Sequence, residues 1–156
     1  MTSNYDLYNQ FLLEHVLAPF YNDRFEKLRS LALNEVLKSK NPYLAKAKNI
    51  AIASELVRSI VDAFLSSREE TTFGNLLERF AIYVSHVVDG GFKSDFKSVD
   101  LEFQRDGTYY IVSIKSGPNW ANADQIAAMK NHFEKARQQL RQRGIENIIA
   151  VNGCMY

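Results

Sequence analysis

The hydrophobic period of this chain changes after about Val88. Up to there, apolar residues recur at helical spacing; from Val99 to Lys115 they alternate or run continuously. The first regime predicts four helices. Tyr8, Phe11, Leu12 and Val16 mark one from Tyr5 to about Val16. Pro19 suits the first turn of a second, where its missing N–H does no harm. Phe20, Phe25, Leu28, Leu31, Ala32, Val36 and Leu37 carry that helix to about Ser39, and Asn41-Pro42 ends it. Ile52, Leu56, Val57, Ile60, Val61 and Phe64 give a third, from about Ile50 to Ser66. The polar stretch SSREETTFG reads as a break, and a fourth helix runs from Asn75 to about Val88 before Asp89-Gly90-Gly91.

The second regime predicts two strands, Val99 to Arg105 and Thr108 to Lys115, joined at Asp106-Gly107, a strong two-residue hairpin signal. A long helix from about Asn122 to Arg143 follows, with Ile126, Met129, Phe133, Ala136 and Leu140 as its stripe and Gly144 at its end. Asn147 to Val151 reads as a buried strand. The order implies a mixed α/β (α+β) domain: a small central mixed sheet flanked by helices, plus a helical N-terminal part.

The Asp-Gly turn also predicts a register. With Arg105 opposite Thr108, Asp100 falls opposite Ser113, Glu102 opposite Ile111 and Ser98 opposite Lys115. Paired and alternate residues share a face, so Asp100, Glu102, Ser113 and Lys115 project together. The other face, Val99, Leu101 and Phe103 against Ile114, Val112 and Tyr110, is the expected core. A one-residue slip would separate Asp100 from Lys115. An Asp near a Lys on a wet hairpin face is ordinarily a weak surface pair. Against that stand the nearly continuous apolar run Ile111 to Ile114, the position of Lys115 at a strand end, and the Gly-Pro loop behind it. Carboxylates on neighbouring strands can hold Mg²⁺ through oxygen. A bound metal activates water and stabilises charge on phosphorus, and a lysine can hold water or phosphate.

Bulk properties narrow the field without choosing a partner. The chain has 156 residues, enough for one domain with a real core, and 46% are hydrophobic against 24% charged. A formal net charge of +1 announces no nucleic-acid binder globally. The single cysteine, Cys154, precludes an internal disulfide and fits a reducing compartment. No apolar run is long enough to span a bilayer, and the N-terminus lacks a signal-peptide pattern, so a cytoplasmic location is expected.

A helix carrying Glu78, then VDLEF, then VSIKSGPNW, then a Gln-bearing helix and a strand resembles the PD-(D/E)xK nuclease superfamily, most closely type II restriction endonucleases. The resemblance spans about residues 70 to 152. It implies Asp100 as the motif's Asp, Lys115 as its Lys and Glu78 as the acid of the preceding helix. Ser113 stands where the motif's second acid is expected, and Glu102 or Glu78 could supply the missing carboxylate. It further implies a Mg²⁺-dependent, sequence-specific endonuclease of double-stranded DNA, with Mn²⁺ as a substitute. A homodimer and a DNA methyltransferase encoded nearby are part of the same expectation. The alternative is a non-catalytic DNA-binding or assembly module on a decayed nuclease core.

In the same reading, Asn119, Asn122, Gln125, Lys130 and Arg137 are DNA-contact candidates, although Asn122 is equally an N-cap and helix charges are usually solvated. Trp120 is expected as a packing anchor, and His15, His86 and His132 as structural. Residues 1–69 form the expected helical region for dimerisation or DNA contact. Residues 70–156 form the nuclease-like core, short enough at its C-terminus to suggest either a fragment or recognition by the N-terminal part.

Overall fold

The computed structural model describes residues 4–38, 41–50, 52–115, 117 and 120–155, leaving aside the side chains at 33, 35, 36, 42, 44, 45, 67 and 68. Val36 as part of a stripe and Asn119 as a DNA contact therefore lie outside the described residues. The described residues divide into two compact units: one from Leu12 to Phe73, the other combining the segment up to Phe11 with that from Gly74 onward.

In the first unit a π-helical segment, Leu12–Leu17, precedes α2 (Ala18–Arg29), which has Pro19 in its opening turn. The helix expected from Pro19 to Ser39 is in fact two, α2 and α3 (Leu33–Lys38). Ser30 ends α2: its N–H bonds to Glu26 O and its hydroxyl folds back onto Lys27 O at 3.2 Å, a local alternative to continuing the ladder. Phe25, placed in the apolar stripe by spacing, is 64% exposed. A short α4 (Pro42–Ala47) follows, and then α5 (Ala53–Asp89), 37 residues without interruption. The polar stretch read as a break is thus helical. Its side chains serve contacts with α2: Glu69 pairs with Arg24 at 3.0 Å, Thr72 donates to Asp23 at 3.1 Å, and Phe73 meets Phe20 edge-on.

In the second unit, α1 (Asn4–Phe11) brings Tyr8 and Phe11 to the C-terminal half of α5. Phe11 stacks on Tyr83 with ring centroids 4.0 Å apart. The sheet has four strands in the order β1 (Phe92–Lys93), β2 (Leu101–Arg105), β3 (Thr108–Lys115) and β4 (Ile148–Cys154). β1 and β3 run antiparallel to β2, while β4 is parallel to β3 after the crossover through α6 (Ala123–Gln142). The hairpin register is the expected one, Arg105 with Thr108 and Glu102 with Ile111. Asp106 and Gly107, at φ 51° and 73°, both occupy the left-handed region that a tight primed turn needs. β4 continues to Cys154, three residues past the expected Val151.

The expected core face is buried at Leu101 and Val112, but the opposite face is buried as well. The α6 stripe of Met129, Phe133, Ala136 and Leu140 lands on Ile111 and on Tyr109, Ile148 and Ala150 around it, which is the face carrying Glu102 and Ser113. Burying Phe133 and Leu140 there stabilises the fold by roughly 1.5–3 kcal/mol each. Ile126, one turn too early, remains 38% exposed. Leu101 and Phe103 instead line a cleft of about 390 Å³ with Phe80, Ala81 and Val84 of α5. Both faces of the hairpin are therefore covered, which accounts for the continuous apolar run in β3. Val99 joins the α6 cluster because alternation is broken at Asp100, whose N–H bonds to Val112 O although Val112 is the register partner of Leu101.

Candidate active site

Asp100 sits at the entry to β2, and its placement is set locally. Ser98 holds a left-handed conformation and shares a 2.7 Å hydrogen bond with Nδ1 of His132 on α6. The Asp100 N–H donates to Val112 O at 2.7 Å, and Asp100 O accepts from the Ser94 N–H at 3.3 Å. Its carboxylate is anchored as well: Oδ2 accepts from the Ile114 N–H at 2.7 Å and from the Ser113 hydroxyl at 3.4 Å. Oδ1 lies 3.7 Å from Nζ of Lys93.

Lys93 is the residue that sequence reasoning missed. Its ammonium also donates to Oε1 of Glu78, so the two carboxylates expected at the site converge on one cation. Glu78 and Asp100 are mostly shielded, with side chains 25% and 18% exposed, while Lys93 is 56% exposed. No spacing marks Lys93. β1 is two residues long and shows no pattern; only its pairing with β2, Lys93 opposite Leu101, delivers the side chain to the α5 side of the sheet.

The remaining expected residues are distributed as follows. Ser113 is fully buried facing Asp100. Glu102 is 4% exposed, and its Oε2 accepts a 2.8 Å hydrogen bond from the Tyr109 hydroxyl. Burial raises the Tyr109 phenol above its ordinary value of 10.0, and the Glu102 carboxylate acts in the same direction. Lys115 ends β3 with Nζ 5.0 Å over the Trp120 ring, which itself packs on the α6 cluster as expected. Among the described residues, the ion pairs at Glu78 and Asp100 run through Lys93 rather than Lys115. Asn122 and Gln125 form a reciprocal capping box at the start of α6, with both hydrogen bonds 2.9 Å long. Lys130 is exposed, and Arg137 pairs with Glu134 at 2.6 Å. His86 Nδ1 lies 3.1 Å from Gly91 O, a structural role like that of His132.

No group of three or more His, Cys, Asp or Glu side chains suited to a metal occurs among the described residues. A pair is enough for Mg²⁺, which keeps several waters and takes one or two carboxylates besides substrate oxygens. The donor set here is oxygen only, and a cation already sits between Glu78 and Asp100. These residues fit a hard divalent ion.

A family model described as type II restriction endonuclease EcoO109I matches residues 8–156. The chain belongs to the EcoO109I family of type II restriction endonucleases. The match takes in the helical residues as well as the sheet, so membership rests on far more than the segment from Glu78 to Lys115. A comparison with curated proteins returned no match. Membership makes this a nuclease with DNA as its substrate. No helix among the described residues is long and apolar enough to cross a membrane.

Proposed function

We propose that this EcoO109I-family chain is a Mg²⁺-dependent, sequence-specific endonuclease that hydrolyses double-stranded DNA, with Mn²⁺ as a working substitute. The observation that carries the reading is the convergence of Glu78 and Asp100 on a single cationic group. Asp100 and Glu78 would hold the metal, whereas Glu102, expected as a further ligand, is buried on the sheet face that α6 covers and is engaged by Tyr109. When bound, the ion supplies an acidified water and stabilises charge developing on phosphorus. Lys115 holds the attacked phosphate or the water as a point charge, and Trp120 limits where its flexible stem can go. Ser113 orients the Asp100 carboxylate through its hydroxyl. Lys130 and Arg137 on α6, with Asn119, Asn122 and Gln125 near its start, contact the DNA, chiefly its backbone. Cutting both strands of a symmetric site needs two such centres, so the enzyme acts as a homodimer, with residues 1–69 as the region for dimer or DNA contacts. The same reading places the protein in a cytoplasmic restriction–modification system with a methyltransferase encoded nearby.

Incubation with plasmid DNA and Mg²⁺ or Mn²⁺ tests this, with defined fragments expected from the wild type and none from Asp100→Asn. The neutral, fully buried Ser113 beside Asp100 favours a second reading, a DNA-binding module on a decayed core. That reading predicts no cleavage by the wild type and salt-sensitive DNA binding that survives Asp100→Asn.

A further inference from the structure

Lys93 reaches both carboxylates from the α5 side of the sheet, where its register opposite Leu101 sends it. Two shielded carboxylates aimed at a common point repel each other, and here the ammonium offsets that repulsion. A divalent ion would draw on the same oxygens, Asp100 Oδ1 and Glu78 Oε1, and its charge would repel the ammonium from them. We propose that Lys93 is a resident counter-cation of the metal site, which a divalent ion must displace, so that this residue sets the site's metal affinity. The inference rests on the metal-site reading above.

The geometry gives the displaced side chain somewhere to go. Lys93 and Glu78 both line a cleft of about 460 Å³ whose other walls include Phe11, Tyr83 and Phe92. Lys93 is more than half exposed, so its release meets little steric resistance. An ion pair of this exposure is individually modest, which limits the expected effect to about three- to tenfold in affinity.

The test is Mn²⁺ binding to the full chain without DNA, followed by titration calorimetry and by the paramagnetic signal of free Mn²⁺. Lys93→Met and Lys93→Gln are expected to bind Mn²⁺ about three- to tenfold more tightly than the wild type. Lys93→Arg, which keeps the charge, is expected to remain near wild type. Thermal melts add a second reading: in EDTA the neutral variants melt below wild type, and Mn²⁺ raises their melting temperature by more. Neutral variants that bind Mn²⁺ with the wild-type constant, or more weakly, overturn the proposal while leaving the metal site standing. Mn²⁺ binding that is absent from all of these proteins, or unchanged by Asp100→Asn, overturns the metal site and the role of Lys93 with it.

Discussion

The Ile114 N–H donates to Asp100 Oδ2 at 2.7 Å, so the aim of the Asp100 carboxylate is set by the backbone of β3. That bond separates the chemistry of Asp100 from its contribution to folding. An asparagine can accept the same hydrogen bond but carries no charge; an alanine leaves the N–H without its acceptor. Asp100→Asn is therefore expected to melt near the wild type while losing metal-dependent cleavage. Asp100→Ala is expected to lose cleavage and, in addition, about 1–3 kcal/mol of stability. Plasmid cleavage beside denaturant titration of both variants checks this. An Asp100→Asn protein that cleaves at the wild-type rate would remove Asp100 from the metal site.

Tyr109 and Glu102 make a second separable pair. Tyr109→Phe leaves a carboxylate that is 4% exposed without its phenolic donor, at a cost of about 1–3 kcal/mol at neutral pH. The same pair gives a pH signature. The phenol is neutral when protonated, and burial raises its folded pKa above the 10.0 of the unfolded chain. Above pH 10.0 the native state thus keeps a proton that the unfolded state has lost. The stability due to this group is complete below pH 10.0 and falls as pH rises above it toward the folded value. The melting-temperature gap between wild type and Tyr109→Phe should hold steady up to that point and narrow beyond it. A gap that stays constant or widens at alkaline pH would contradict the pairing.

Much of the sheet was legible in advance because its signals are local. Asp106-Gly107 fixed the hairpin register from Arg105–Thr108 to Leu101–Val112, and Ser113 meets Asp100 just beyond it through its hydroxyl. The errors arose where a distant element decides. Alternation cannot say which hairpin face a later helix will cover, and α6 covers the face bearing Glu102. SSREETTFG looks like a linker by composition, yet Glu69 and Thr72 have partners on α2 that only tertiary structure supplies. Lys93 belongs to the same class. Its role depends on a two-residue strand whose register is imposed by β2, so neither period nor motif could reveal it.

Ser113 offers a direct test of the carboxylate balance. It is fully buried, with its hydroxyl 3.4 Å from Asp100 Oδ2. Ser113→Glu inserts a longer, charged group beside an existing carboxylate, and without a cation that combination is strongly unfavourable. In EDTA the variant should melt well below the wild type. Mn²⁺ should recover more of its stability than it adds to the wild type, because the inserted carboxylate can ligate. Ser113→Ala controls for the lost hydroxyl and should cost roughly 1 kcal/mol or less. Equal Mn²⁺ responses in Ser113→Glu and wild type would place position 113 away from the metal.

Lys115 is the residue whose assigned role differs most from its observed contact. Its ammonium lies over the Trp120 indole at 5.0 Å, whereas the ion pairs to Glu78 and Asp100 belong to Lys93. The two lysines therefore predict opposite outcomes. A lysine that acts on the phosphate or the water contributes chiefly in the transition state, so Lys115→Met should lower the cleavage rate by about a hundredfold or more. DNA binding measured in Ca²⁺ and the Mn²⁺ affinity of the free protein should stay close to wild type. Lys93→Met should shift that Mn²⁺ affinity instead. Trp120→Ala, which frees the Lys115 stem, should lower the cleavage rate less than Lys115→Met and leave Mn²⁺ affinity alone. Single-turnover cleavage with parallel Mn²⁺ titrations of the three variants separates the roles. If Lys115→Met shifts Mn²⁺ affinity and Lys93→Met does not, the assignments must be exchanged.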